Sequence, residues 1–148
     1  MKHNIVMLTS RIHDLTHSWL VDALAEAGLT GLAPSHGDVL ACLFKEGEAT
    51  MQKLAAFAHR TKPTTTVLVD KLEKMGLVRR ERSEADARRT RVTLTDEGEA
   101  LRPKFDDVSR RLVSLVYSGL SKPDAERLEA LLEKTLSGII TQTERKQP

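Results

Sequence analysis

The sequence predicts a mainly α-helical protein with one small β-hairpin. Three observations carry that prediction. Apolar residues recur every three to four positions through most of the chain. One stretch, residues 77–95, switches to alternation, and Gly or Pro marks most changes of period.

From Ile5 to Ala27 the helical spacing runs through Ile5, Leu8, Ile12, Leu15, Trp19, Leu20 and Leu24, and Gly28 supplies the stop. Pro34-Ser35 opens a second helix, and Ser35-x-x-Asp38 reads as its capping box. Val39, Leu40, Leu43 and Phe44 form its buried face, and Gly47 ends it. Thr50 is the expected N-cap of a short third helix with Met51, Leu54, Ala55 and Ala58 facing inward. After a tight connection at residues 59–61, Pro63 sits in the first turn of a fourth helix, where its missing N–H costs nothing. That helix runs to Met75, burying Leu68, Leu72 and Met75, and Gly76 closes it.

Leu77–Arg82 and Thr90–Thr95 read as two strands joined by a polar loop over residues 83–89. In the second strand Val92 and Leu94 point one way, Arg91 and Thr93 the other. Thr95 caps a fifth helix whose Asp96 and Glu97 suit its N-terminal dipole, and Pro103 should kink it. Ser121, Pro123 and Asp124 start the last helix. Its stripe of Leu128, Leu131, Leu132, Leu136, Ile139 and Ile140 must be buried, within one chain or across two.

The chain of 148 residues is read as a single domain, 1–148. Its net charge of +2 hides a segregation. Residues 50–95 hold eleven Lys and Arg against five acids, a net of +6, and the remainder nets −4. A cationic segment on an acidic body points to a polyanionic partner. The lone cysteine, Cys42, cannot form an intramolecular disulfide and suits a reducing cytoplasm. It lies among Val39, Leu43 and Phe44 and reads as a buried small apolar residue. No signal segment or membrane span is expected. No Gly-rich phosphate loop, nucleophile elbow or full set of metal ligands is found, so no enzyme, cofactor or metal is predicted. His13 and His17 stand four apart but lack a third ligand.

A short helix, a tight turn, a second helix and a hairpin make a winged helix-turn-helix, here over residues 30–100. A helix fits the major groove of duplex DNA, where base edges are distinguishable, and its N-terminal turn carries the readers. That turn contains Lys62, Thr64, Thr65, Thr66 and Val67, with Lys71 further along. Lys62 suits phosphate or guanine, the hydroxyls donate or accept, and methyls suit thymine. The hairpin is the wing. Arg79, Arg80, Arg82, Arg88, Arg89 and Arg91 place six guanidinium groups in thirteen residues. An arginine at its tip can enter a narrow minor groove, and Asp86 can orient Arg88 through a fork-like pair.

The run Leu72-Glu73-Lys74-Met75-Gly76-Leu77-Val78-Arg79-Arg80, the pair Asp86-Ala87-Arg88, and Val92-Thr93-Leu94-Thr95 followed by Gly98 together resemble the MarR (multiple antibiotic resistance regulator) family. Ala33-Pro34-Ser35 matches too, and the likeness spans essentially the whole chain. The resemblance implies a transcriptional regulator, a repressor by expectation, that binds double-stranded DNA at pseudo-palindromic operators. It implies a homodimer built by the long terminal helices, residues 1–28 and 101–148. Often it implies release by a small-molecule, phenolic or oxidant inducer. By position Arg88 is the minor-groove residue and Lys62, Thr64 and Thr66 the major-groove readers. His13, His17, Trp19 and His36 are candidate linings of an inducer cleft. Two departures stand out. Val67 occupies a place near which similar proteins often carry Arg, and Pro103 interrupts the fifth helix. The reading set against all this is a winged-helix protein-interaction module that does not touch DNA.

Overall fold

The computed structural model describes residues 4–82, 84 and 89–144. Seven helices and three strands follow in the order α1 (Ile5–Glu26), α2 (Pro34–Glu46), β1 (Glu48–Thr50), α3 (Met51–Phe57), α4 (Lys62–Lys74), β2 (Val78–Arg82), β3 (Thr90–Leu94), α5 (Asp96–Ala100), α6 (Arg102–Val116) and α7 (Lys122–Glu144). The mainly helical reading with one hairpin holds. The chain divides into two compact units, Met1–Arg110 and Arg111–Pro148.

The first unit holds the core. Val39, Leu40 and Leu43 of α2, Leu54 of α3, Leu68, Val69 and Leu72 of α4, and Val78 and Val92 of the hairpin are buried together. Cys42 is buried among them, and burial pushes its thiol pKa up, so it behaves as a small apolar residue. From α1 only Ala23 and Leu24 are buried, with Trp19 and Leu20 packed partly against the core. Met75, expected inside, is 37% exposed. It is the C-cap of α4, one residue before Gly76 turns the chain with φ +75°.

The expected caps Thr50 and Thr95 obey the hydroxyl-capping rule: Thr50 accepts from Lys53 N–H at 3.2 Å, and Thr95 accepts from Gly98 N–H at 3.1 Å. The start of α2 does not follow the expected Ser35–Asp38 box. Pro34 is already helical and Ala33 is the N-cap. Ala33 has no side-chain acceptor, so the backward half of a box acts alone: Ala33 N–H donates to His36 Nδ1 at 2.9 Å.

β1 was not expected. It pairs antiparallel with β3, which also pairs with β2, giving a three-stranded sheet in the order β1-β3-β2. The expected kink at Pro103 is a full break at Leu101, between α5 and α6. Pro103 has no N–H to offer Glu99, and its ring crowds that carbonyl. Gly98 is required by close approach: a Cβ there would stand 2.1 Å from the Leu77 carbonyl oxygen. The short α5 can therefore lie against the root of the hairpin.

In the second unit, Ser121 caps α7, accepting from Asp124 N–H at 3.3 Å. No residue of α7 is buried, so its stripe finds no cover among the described residues.

Candidate nucleic-acid interface

Thr61 builds the start of α4. Its hydroxyl donates to Thr64 Oγ1 at 2.9 Å and accepts from Thr64 N–H at 3.4 Å. Lys62, Pro63 and Thr64 are exposed in the first turn, which contains no acid, so the positive end of the helix dipole stands uncompensated there. Lys71 is exposed as well, and Val67 is 66% exposed. Thr66 is half-buried, and its hydroxyl donates to Lys62 C=O at 3.0 Å, which leaves its lone pairs and methyl for a ligand.

Thr65, expected beside them as a DNA contact, does not share their exposure. It is fully buried and donates to Thr61 C=O at 2.9 Å. The helical period explains this, because residue 65 shares a face with Leu68, Val69 and Leu72.

The arginines of the hairpin divide into different roles. Arg79 pairs with Glu81 at 2.8 Å along one strand. Arg80 reaches back to Asp70 and Glu73 of α4, at 2.5 Å each. Arg91, expected among the DNA contacts, pairs across the sheet with Glu48 of β1 at 2.8 Å. Arg82 and Arg89 are exposed near the loop. Asp86 and Arg88 lie outside the described residues.

The helix start and the loop end of the wing open on the same side. A hollow of about 430 Å³ is lined by Thr50, Met51 and Gln52 where β1 meets α3, by Lys62 at the start of α4, and by Arg89 and Thr90 at the start of β3. Two cations from separate elements, Lys62 and Arg89, thus line one concavity with Thr50 and Gln52. Thr50, Met51 and Gln52 were missed as site residues. Reading Thr50 purely as a cap hid the strand that brings it beside β3.

The four candidate ligand residues are placed differently from one another. His13 and His17 are exposed on α1 with ring centroids 5.7 Å apart. Trp19 packs partly against the core. His36 is buried, and its Nδ1 is engaged by the α2 cap, so that nitrogen is closed to an inducer. Burial, then the charge of Lys71, holds its pKa below the usual imidazole value.

A family model described as the MarR family matches residues 32–90. The HTH-type transcriptional regulator YkoM of Bacillus subtilis is 30% identical over 112 residues, covering 76% of this chain and 71% of that protein. The chain belongs to the MarR family. The matched stretch of this MarR-family chain holds α2 through β2 and reaches the first residue of β3, and so includes every residue lining the hollow. The HTH-type transcriptional regulator MgrA of Staphylococcus aureus is 32% identical over 98 residues, 66% of this chain. That match spans 65% of MgrA, just under two thirds of its length. In structure, Bordetella bronchiseptica BpsR, whose DNA binding is regulated by 6-hydroxynicotinic acid, superposes with a TM-score of 0.79. The alignment covers 90% of this chain and 98% of BpsR at 19% identity, so the likeness is one of fold.

Proposed function

We propose that this MarR-family chain regulates transcription by binding double-stranded DNA sequence-specifically as a homodimer, most simply as a repressor. The single observation that carries the reading is the shared hollow between Lys62 and Arg89. A helix start and the loop end of a hairpin that open together can meet a major groove and its neighbouring minor groove at one time. Lys62, Thr64, Thr66 and Val67 would face base edges and nearby phosphates. Lys71, Arg82 and Arg89 would meet the backbone, and Arg88 would enter the minor groove beside Asp86. An exposed Val67 in place of a cation favours contact with a thymine methyl. Arg91 is tied to Glu48 and contributes through the sheet.

Support for the homodimer comes from each terminal region taken by itself. On α1, Ile5, Leu8, Ile12 and Leu15 are exposed, and on α7 so are Leu131, Leu136 and Ile139. Such stripes cost solubility unless covered, and a second copy covers them by symmetry. Two-fold pairing places recognition helices about 34–36 Å apart and calls for a pseudo-palindromic site. Release by a small aromatic molecule follows the precedent of BpsR, with His13, His17 and Trp19 as the residues to probe. An inducer would act by favouring a dimer whose helix spacing no longer matches the groove.

Selection of bound sequences from a random pool of duplexes tests the reading. Enrichment of an inverted repeat with half-sites one helical turn apart is expected. A pool left unenriched after repeated rounds would overturn it in favour of a protein-interaction module.

A further inference from the structure

Arg80 was counted among the wing's cations, yet its charge is already committed. One terminal nitrogen of its guanidinium donates to Asp70 Oδ1 at 2.5 Å, and the other donates to Glu73 Oε2 at 2.5 Å. The two acids lie three residues apart on one face of α4, so a single planar fork spans both. Its side chain is 26% exposed, against 62% for Arg79 and 51% for Arg91. The Arg79–Glu81 pair lies within one strand and links nothing else, whereas Arg80 joins the recognition helix to the wing. We propose that Arg80 is a positioning residue: its fork across Asp70 and Glu73 holds β2 at one angle to α4 and so sets where the wing's arginines reach the duplex. The proposal deepens the DNA-binding reading and rests on it.

The surrounding backbone shows why such a brace is useful. α4 passes into β2 through Met75, Gly76 and Leu77, with Gly76 at φ +75°. The root of β2 is anchored at Leu77, whose N–H donates to Leu72 C=O at 3.0 Å and whose carbonyl accepts from Thr95 N–H at 3.1 Å. Beyond that root β2 leaves α4 and is held on its other side by its pairing with β3 as far as Arg82. Arg80 lies three residues further out and ties the departing strand back. The brace also accounts for two carboxylates within the most cationic part of the chain. Alone the two acids would present −2 to a polyanion; with the Arg80 guanidinium between them the cluster carries −1, so the geometry is fixed with less repulsion.

The test compares the parent with Arg80→Ala, Arg80→Lys and the double variant Asp70→Asn/Glu73→Gln. Thermal unfolding checks that each folds. A DNA-free readout comes first. Spin labels are attached at Lys71→Cys on α4 and Arg82→Cys on β2, and the buried Cys42 stays unlabelled. A narrow distance distribution is expected in the parent background and a broader one in the double variant. Binding to the selected duplex follows. The double variant removes two negative charges, so simple electrostatics predicts tighter binding. Positioning predicts weaker binding, roughly three- to tenfold, with footprint protection fading at the flanking minor grooves and persisting at the centre. Arg80→Lys keeps the charge and loses the fork, and it should fail at the flanks as Arg80→Ala does. Unchanged distance distributions, or a double variant that binds more tightly with its flanks protected, would overturn the proposal. So would an Arg80→Ala variant whose salt slope falls by about one with its footprint intact, the mark of a direct phosphate ligand. A parent that selects no duplex would refute DNA binding, while the distance measurement still reports on the brace.

Discussion

α4 and α7 carry the same signal in their amino acids and meet opposite fates. Each has apolar residues at three- and four-residue spacing. In α4, Leu68, Val69 and Leu72 are buried under α2, α3 and the sheet. In α7, Leu131, Leu132, Leu136, Ile139 and Ile140 are 40–56% exposed. Periodicity states that a face must be covered; it does not state by what. For α4 the cover is close in the chain and polar residues remain on the other face for a ligand. For α7 no cover exists among the described residues of the same chain, and the proposed second copy would supply it.

The largest effect should come from breaking the α7 stripe. Leu131→Asp/Leu136→Asp should yield a monomer in sedimentation at micromolar concentration. Operator affinity should drop by about 10²–10⁴, because one half-site is then read without the other. A dimer that persists would show that α7 is not the contact. Next comes the α4 stripe. Leu72→Ala empties a fully buried site and should cost about 2–5 kcal/mol in denaturant unfolding at any protein concentration. A loss confined to low concentration would place Leu72 in an assembly contact instead.

The two neighbouring threonines sharpen the contrast within α4 itself. Thr66→Ala should change the selected base preference, at about 1–3 kcal/mol for a contacted position, and leave stability nearly unaltered. Thr65→Ala should do the reverse, losing about 1 kcal/mol of stability with its buried hydrogen bond and no base preference. Identical selection profiles for Thr66→Ala and the parent would remove Thr66 from the readers.

The smallest effect concerns pH. His36 is neutral in the fold and its pKa is lowered, so the unfolded chain binds the extra proton first. Its contribution is fully present above about pH 6.5, the ordinary imidazole value, and is lost as pH falls through 6.5 toward the folded value. Thermal unfolding at pH 7.5 and 5.5 should show a decline in the parent that is reduced in His36→Gln.

Much of this fold was legible in the chain, because caps, stops and periods are local signals. Thr50, Thr95, Gly28, Gly47 and Gly76 mark their boundaries where the residues place them. What escaped was either short or remote. β1 has three residues, too few to show alternation, and its partner β3 lies more than forty positions away. The break at Leu101 was read as a kink because a proline announces trouble without giving its size. At the candidate interface, Lys62, Thr64, Val67, Lys71, Arg82 and Arg89 are exposed, as surface charge and the helical period lead one to expect. The burial of Thr65 is legible in the chain, since the period that buries Leu68 and Leu72 includes it. The pairings of Arg80 and Arg91 were not legible, because charge counting ignores partners that only folding brings near.

The account depends on the helix start and the loop end of the wing meeting one duplex from one side. Cys42 is buried, so a cysteine introduced at position 62 or 89 can carry a tethered iron chelate that cleaves nearby DNA. Both labelled proteins, at saturating concentration on the selected operator, are predicted to cut the same duplex. Their cleavage centres should fall on one face of it, about half a helical turn apart. Cutting from position 62 with none from position 89, or cutting by the two on opposite faces, would contradict the account.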